Sequence, residues 1–269
     1  MTQQSVFSKA YRTLGRVVVD VGQLAFAPLR MPERNPAMQG LMAYAKDDLA
    51  RMRRCPLPVV RPVVIFNGYH AWAGVAASLQ RQLVRLTSQR PQDVMYVSYF
   101  SKADFARVRR YAIDEVTARF SAETEFDFVG ISMGGLISRL VSQPCEADAR
   151  TLRAARIFTF ASPHSGARLA AHVRPNAAAR DMCPGSSFMT RLNCSVHPRL
   201  RCYAQTNDNI VGATHTAPPG MKPFWASGTW LMSHFTTYTH PILLADVARH
   251  LRGEPPLLGP HAASVPVCD

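Results

Sequence analysis

Acidic residues are scarce in this chain: 18 Asp and Glu stand against 31 Lys and Arg in 269 residues, a formal charge of +13. Lysine is scarcer still, confined to Lys9, Lys46, Lys102 and Lys222, so nearly all the positive charge is arginine. Arginine forms bidentate pairs with phosphate and carboxylate, which admits anionic lipid, nucleic acid and acidic partners. Other absences narrow that list. No zinc-finger spacing, RNP aromatic pattern or basic-zipper heptad is present, so no specific nucleic-acid partner is expected. The arginines fall in small groups (Arg51, Arg53, Arg54; Arg107, Arg109, Arg110; Arg150, Arg153, Arg156) at spacings that mostly suit solvated helix faces. No apolar run approaches the roughly 20 residues that a membrane-spanning helix needs. None of the six cysteines forms a C-x-x-C pair, which argues against zinc and thioredoxin-type chemistry. The cysteines between Cys183 and Cys202 suit a disulfide in an oxidising compartment, and buried free thiols in a reducing one explain them equally well.

What is present can bury a core: 47% of residues are hydrophobic and 18% charged. Residues 1–60 read as a helical, loosely attached extension, with apolar residues at helical spacing from Met38 to Arg54 and a stop at Pro56 and Pro58. Lys9, Arg12 and Arg16, an apolar run and then Ala25-Phe26-Ala27 faintly resemble a secretory signal, but Asp20, Gly22 and Gln23 interrupt it. The cytoplasm is the expected compartment, with the periplasm or secretion as the alternative.

From Arg61 onward, short β-branched or aromatic runs alternate with amphipathic stretches. Strands are expected at 62–66, 94–99, 126–131, 157–160, 201–205 and 224–231, with helices at 73–86, 105–120, 133–142 and 242–251. Such alternation needs crossover connections, hence an α/β fold with a mostly parallel sheet flanked by helices. The expected organisation is a domain over 61–253, a cap-like insert at about 166–199 and an extended, poorly packed proline-rich tail over 254–269.

The most informative residues are Gly130-Ile131-Ser132-Met133-Gly134-Gly135, a G-x-S-x-G between an apolar strand and a helix. A serine turned sharply from strand into helix needs small neighbours, and the turn lifts its hydroxyl above the sheet. The Met133 amide, at the helix N-terminus, then faces the place where an oxyanion would form.

This segment resembles the nucleophile elbow of α/β-hydrolase lipases and esterases, especially the PGAP1-like (GPI inositol-deacylase-type) and bacterial triacylglycerol lipase branch. Three further segments are similar in order: Val63 to Tyr69, Phe160 to Gly166, and Gly185 to Met189 with Leu192-Asn193. The resemblance spans residues 61–251. It implies an α/β-hydrolase fold with a short cap or lid, and it departs from the family at Asn67 and Ile131, where histidine is usual.

A serine hydroxyl needs a base near neutral pH, and in this fold the acid and then the histidine follow the serine. Of His164, His172, His197, His215, His234 and His240, the expected base is His234, between the last strand and the closing helix. His240, beside Pro241, suits the helix start. Among Glu146, Asp148, Asp181 and Asp208, the expected acid is Asp208, directly after the 201–205 strand, where a carboxylate orients the imidazole. Asp208 also resembles the family's Asp-x-Ile/Val-Val pattern. The second oxyanion donor is expected at the backbone N–H of Tyr69, after the first strand.

The reading is therefore a serine hydrolase of carboxylic esters, with Ser132, Asp208 and His234 as triad and Met133 and Tyr69 as oxyanion donors. It implies an acyl-enzyme and no cofactor or metal. The substrate is an acyl ester or lipid, with peripheral contact to anionic membrane through the basic surface; in this reading Leu169, Met182, Phe188 and Met189 form a lid. The alternatives are an acyltransferase using the same triad and a non-catalytic ligand-binding homologue. Nothing in the sequence bears on oligomeric state.

Overall fold

The computed structural model describes residues 34–265 except 88–89, 91, 100–103, 146–147, 172–176 and 230–231. The signal-like segment, His172 and Cys268 lie outside the described residues.

The run Val63-Val64-Ile65-Phe66 forms β1, and all four side chains are fully or almost fully buried, as expected of a strand covered on both faces. It follows α1 (Leu41–Arg54). Then come α2 (Ala73–Thr87), β2 (Val94–Val97), α3 (Phe105–Thr117), β3 (Glu125–Ile131), α4 (Met133–Val141) and β4 (Arg153–Phe160). Two short helices, α5 (Ala177–Asp181) and α6 (Ser187–Asn193), precede β5 (Leu200–Gln205) and β6 (Phe224–Ala226). A four-residue helix, α7 (Ser233–Thr236), and α8 (Pro241–Leu251) follow. The strands form one parallel sheet in the order β2-β1-β3-β4-β5-β6.

Alternation along each strand divides the core in two. Val63, Ile65, Val129, Phe158 and Tyr203 face α1, α2 and α8; Val64, Phe66, Phe126 and Phe128 face α3, α4 and α6. No described helix is long and apolar enough to cross a membrane.

Three expectations change. First, residues 34–60 are not a loose extension: Ala45, Leu49 and Met52 of α1 are buried against α8, and Asp48 holds Arg249 at 2.6 Å. Second, the described tail is packed: Leu258 is buried and its N–H donates to Asp246 Oδ1 at 2.8 Å. Third, β4 starts four residues earlier than its apolar run, because Arg156 finds the buried Asp127 and Arg153 finds Glu123, while β6 ends at Ala226. Of the two readings left open for the cysteines, the free one holds for the five described: no disulfide joins Cys183, Cys194 and Cys202.

The 166–199 segment forms part of the main core. Phe188 stacks on Phe105 of α3 with ring centroids 4.2 Å apart, and Met182 and Met189 are buried in the same cluster.

Candidate active site

Ser132 sits between β3 and α4 with φ 52° and ψ −124°, a backbone conformation that an L-residue adopts only when its surroundings hold it there. Those surroundings are visible. The Ser132 N–H donates to the Phe160 carbonyl at 2.8 Å, and the Gly135 N–H closes the turn on the Ser132 carbonyl at 3.0 Å. Gly134 lies so close under β1 that a Cβ there would overlap the Phe66 carbonyl. The elbow is thus wedged among β1, β3 and β4, and the half-buried hydroxyl stands at the C-terminal edge of the sheet.

The hydroxyl is in contact with a ring. His234 Nε2 lies 3.1 Å from Ser132 Oγ, and His234 Nδ1 lies 3.0 Å from Asp208 Oδ2. Asp208 follows β5 and is nearly fully buried; its other oxygen accepts the N–H groups of Ile210 and Val211, each at 3.0 Å. Burial alone would raise the pKa of this carboxyl, but His234 and the two amides outweigh it and hold the group below its ordinary value. His234 falls in α7 rather than in a loop, and Gln205 fixes that helix: its Oε1 accepts the Thr236 hydroxyl at 2.9 Å and the Thr237 hydroxyl at 3.4 Å. Gln205 carries no sequence signal, since its role depends on a partner 31 residues away.

The loop after β1 lies against the serine: a Cβ at Gly68 would sit 3.4 Å from Ser132 Cβ. That places the adjacent Tyr69 beside the elbow, and Met133, as first residue of α4, carries one of the N–H groups that helix geometry leaves unpaired. Asn67, the departure noted in the sequence, is fully buried and ties this loop together. Its Nδ2 donates to the Ala71 and Trp72 carbonyls at 3.2 Å, its Oδ1 accepts the Gly68 N–H at 2.9 Å, and Tyr99 donates to its carbonyl.

The other histidines are engaged elsewhere. His197 Nε2 meets the Ala154 carbonyl and His215 Nδ1 the Gly166 carbonyl, while His240 stands at the N-cap position of α8, as its place beside Pro241 suggested, with no capping bond from its side chain. Buried His164 bridges Thr159 and Arg139, and burial, followed by the Arg139 charge, pushes its pKa well down. Arg139 of α4 is itself fully buried without a carboxylate partner among the described residues. It donates to Asn193 Oδ1 and the Leu192 and Ser195 carbonyls, and burial lowers its pKa to about 10. The guanidinium thereby fastens α6 to the helix that bears the elbow.

Around the serine the surface is apolar. Trp72, Met232 and Phe235 are 77%, 52% and 55% exposed; Trp72 ends the Asn67 loop, and Met232 and Phe235 flank His234. No group of three His, Cys, Asp or Glu among the described residues is placed to hold a metal ion.

No known family model matches the chain, and no curated protein matches it in sequence. Solved structures do match. Phospholipase PlaB from Legionella pneumophila, in complex with thio-NAD, aligns with a TM-score of 0.54 at 12% identity, over 71% of this chain and 59% of that one. Bacillus licheniformis lipase BlEst2 in its propeptide form gives 0.51 at 15% identity, over 79% and 54%. Aspergillus fumigatus lipase B gives 0.51 at 14%, over 75% and 56%. The chain thus spans between half and two thirds of the length of these proteins. Sheet order, elbow and likeness together give the chain the α/β-hydrolase fold.

Proposed function

We propose that this chain is a serine hydrolase of carboxylic esters. The observation that carries the reading is the continuous line of hydrogen bonds from Asp208 through His234 to Ser132, on a strained elbow at the sheet's C-terminal edge. His234 takes the proton of Ser132 as its oxygen attacks the acyl carbon, and returns it to the leaving alcohol. Asp208 orients the ring and stabilises its protonated form. The Met133 and Tyr69 amides receive the negative charge of the tetrahedral intermediate. Water then repeats the sequence on the acyl-enzyme. No cofactor or metal is required.

Two further observations favour a lipid-like ester. The structural neighbours named above are a phospholipase and lipases, and Trp72, Met232 and Phe235 surround the serine with exposed apolar surface. In this reading the substrate is held at the surface of an aggregate or an anionic membrane, with the chain's positive charge assisting.

The test is labelling with a fluorophosphonate probe and peptide mapping, beside hydrolysis of p-nitrophenyl butyrate and palmitate. Label on Ser132, and turnover lost in a folded Ser132→Ala variant, are the expected results. Turnover retained in that variant would remove the mechanism, and a strict preference for butyrate would remove the lipid substrate.

A further inference from the structure

At the opposite end of the sheet from Ser132, a cavity of about 750 Å³ opens where the N-terminal halves of β4, β5 and β6 run out from under α8. Phe160, at the top of β4, bonds the elbow, and Arg156, four residues back, lines the cavity. At ~3.3 Å per strand residue the two places are roughly 13 Å apart along the strand. We propose that this cavity is a binding site for a phosphorylated small molecule carrying an apolar ring.

The argument is one of charge balance. Two arginines of the lining are already neutralised. Arg156 is paired with Asp127, and Arg201 with Asp246 at 2.8 Å, both carboxylates being fully buried. Two further cations are not. Arg199 and Lys222 also line the cavity, and neither forms an ion pair with a carboxylate among the described residues. Glu125, whose carboxyl feels Arg199, is bonded to Arg61. Among the described residues Lys222 donates to the Ser264 hydroxyl alone, at 2.9 Å. The cavity therefore holds about two unbalanced positive charges. A phosphoryl dianion matches them, whereas a carboxylate would match one.

Two histidines lie beside them. His261 lines the mouth, and His250 Nε2 is buried within the lining without a hydrogen-bond partner. Burial depresses the pKa of His250, with Asp246 opposing and Arg201 and Arg156 assisting, and Asp246 Oδ2 lies 3.9 Å from Nε2.

The apolar part of the ligand follows from the remaining wall. Met221 presents apolar surface, and Phe224 lies under the Arg201 guanidinium, 3.7 Å from its ring centroid. This layer of arginine over aromatic suits a flat ring laid beside it. The volume lies within the usual range of small-molecule sites, roughly 300–1,000 Å³, and exceeds what a bare phosphate fills.

The test uses the full chain and two probes, AMP and inorganic phosphate, by calorimetric titration at fixed salt. AMP is expected to bind more tightly than phosphate, because only AMP has a ring. Arg199→Ala/Lys222→Ala should weaken AMP by about tenfold or more, since each charge-assisted contact is worth about a factor of ten. Arg81→Ala/Arg85→Ala, which removes the same charge from the exposed face of α2 at the other edge of the sheet, should leave affinity unchanged. Hydrolysis of p-nitrophenyl butyrate should be the same in all three proteins, so this result stands apart from that on Ser132. Equal weakening in both variants, AMP no tighter than phosphate, or no binding of either probe would overturn the proposal.

Discussion

Replacing Asp208 by Asn separates orientation from stability more sharply than removing the nucleophile does. The carboxylate has two functions on two oxygens: Oδ1 accepts two backbone N–H groups, and Oδ2 accepts from His234. An asparagine keeps an oxygen for Ile210 and Val211, but it turns an NH2 group toward His234 Nδ1. The ring must then accept at Nδ1 and carry its proton on Nε2, the nitrogen that has to receive the proton of Ser132. Turnover should fall by about 10,000-fold, some 5.4 kcal/mol of transition-state stabilisation, as expected for a histidine held in the wrong tautomer. Fold stability should change by less than about 1 kcal/mol, because the two backbone bonds survive. Asp208→Ala should lose similar activity and in addition about 2–4 kcal/mol of stability, because both amides lose their acceptor inside the protein. Rates on p-nitrophenyl butyrate and urea unfolding of the three proteins give the comparison. An asparagine variant retaining more than about a tenth of wild-type turnover would refute the orienting role, since a wrong tautomer cannot act as base.

Two more predictions rest on the packing. Gly134→Ala should prevent folding or cost about 3 kcal/mol or more, because the added Cβ meets the Phe66 backbone, which cannot step aside without breaking β1; thermal melting checks it. Between pH 7 and 5 the melting temperature should fall. His240, pushed down to about 4 by burial, stays neutral in the native state while the unfolded chain takes up a proton. Its stabilisation is thus complete above the unfolded value near 6.5 and declines as pH drops toward the folded value, by up to about 2 kcal/mol at pH 5. Buried His164 acts in the same direction. His240→Phe should flatten the slope, and an unchanged slope would refute the assignment.

Chain pattern alone was enough for much of the fold. The short apolar run bounded by Pro62 and Asn67 reads as a buried strand, and G-x-S-x-G at a strand–helix junction reads as an elbow, since both follow from local sterics and pattern. Asp208 and His234 were legible because strand order constrains where an acid and a base can rise above the sheet. Charged ends defeated the same logic. The start of β4 was invisible, because Arg153 and Arg156 look like a solvated face until Glu123 and Asp127 stand opposite them.

Tertiary structure decided the remainder, and for one physical reason. Long polar side chains take their meaning from partners far along the chain. Asn67 looked like a lost histidine and is the tie of the loop after β1; Gln205 fixes the helix of His234; Arg139 binds α6 to the elbow; α1 joins the core through Asp48 and Arg249. Whether Arg199 and Lys222 are surface charges or walls of a cavity is of the same kind, because a charge is balanced or unbalanced only by what folding brings beside it.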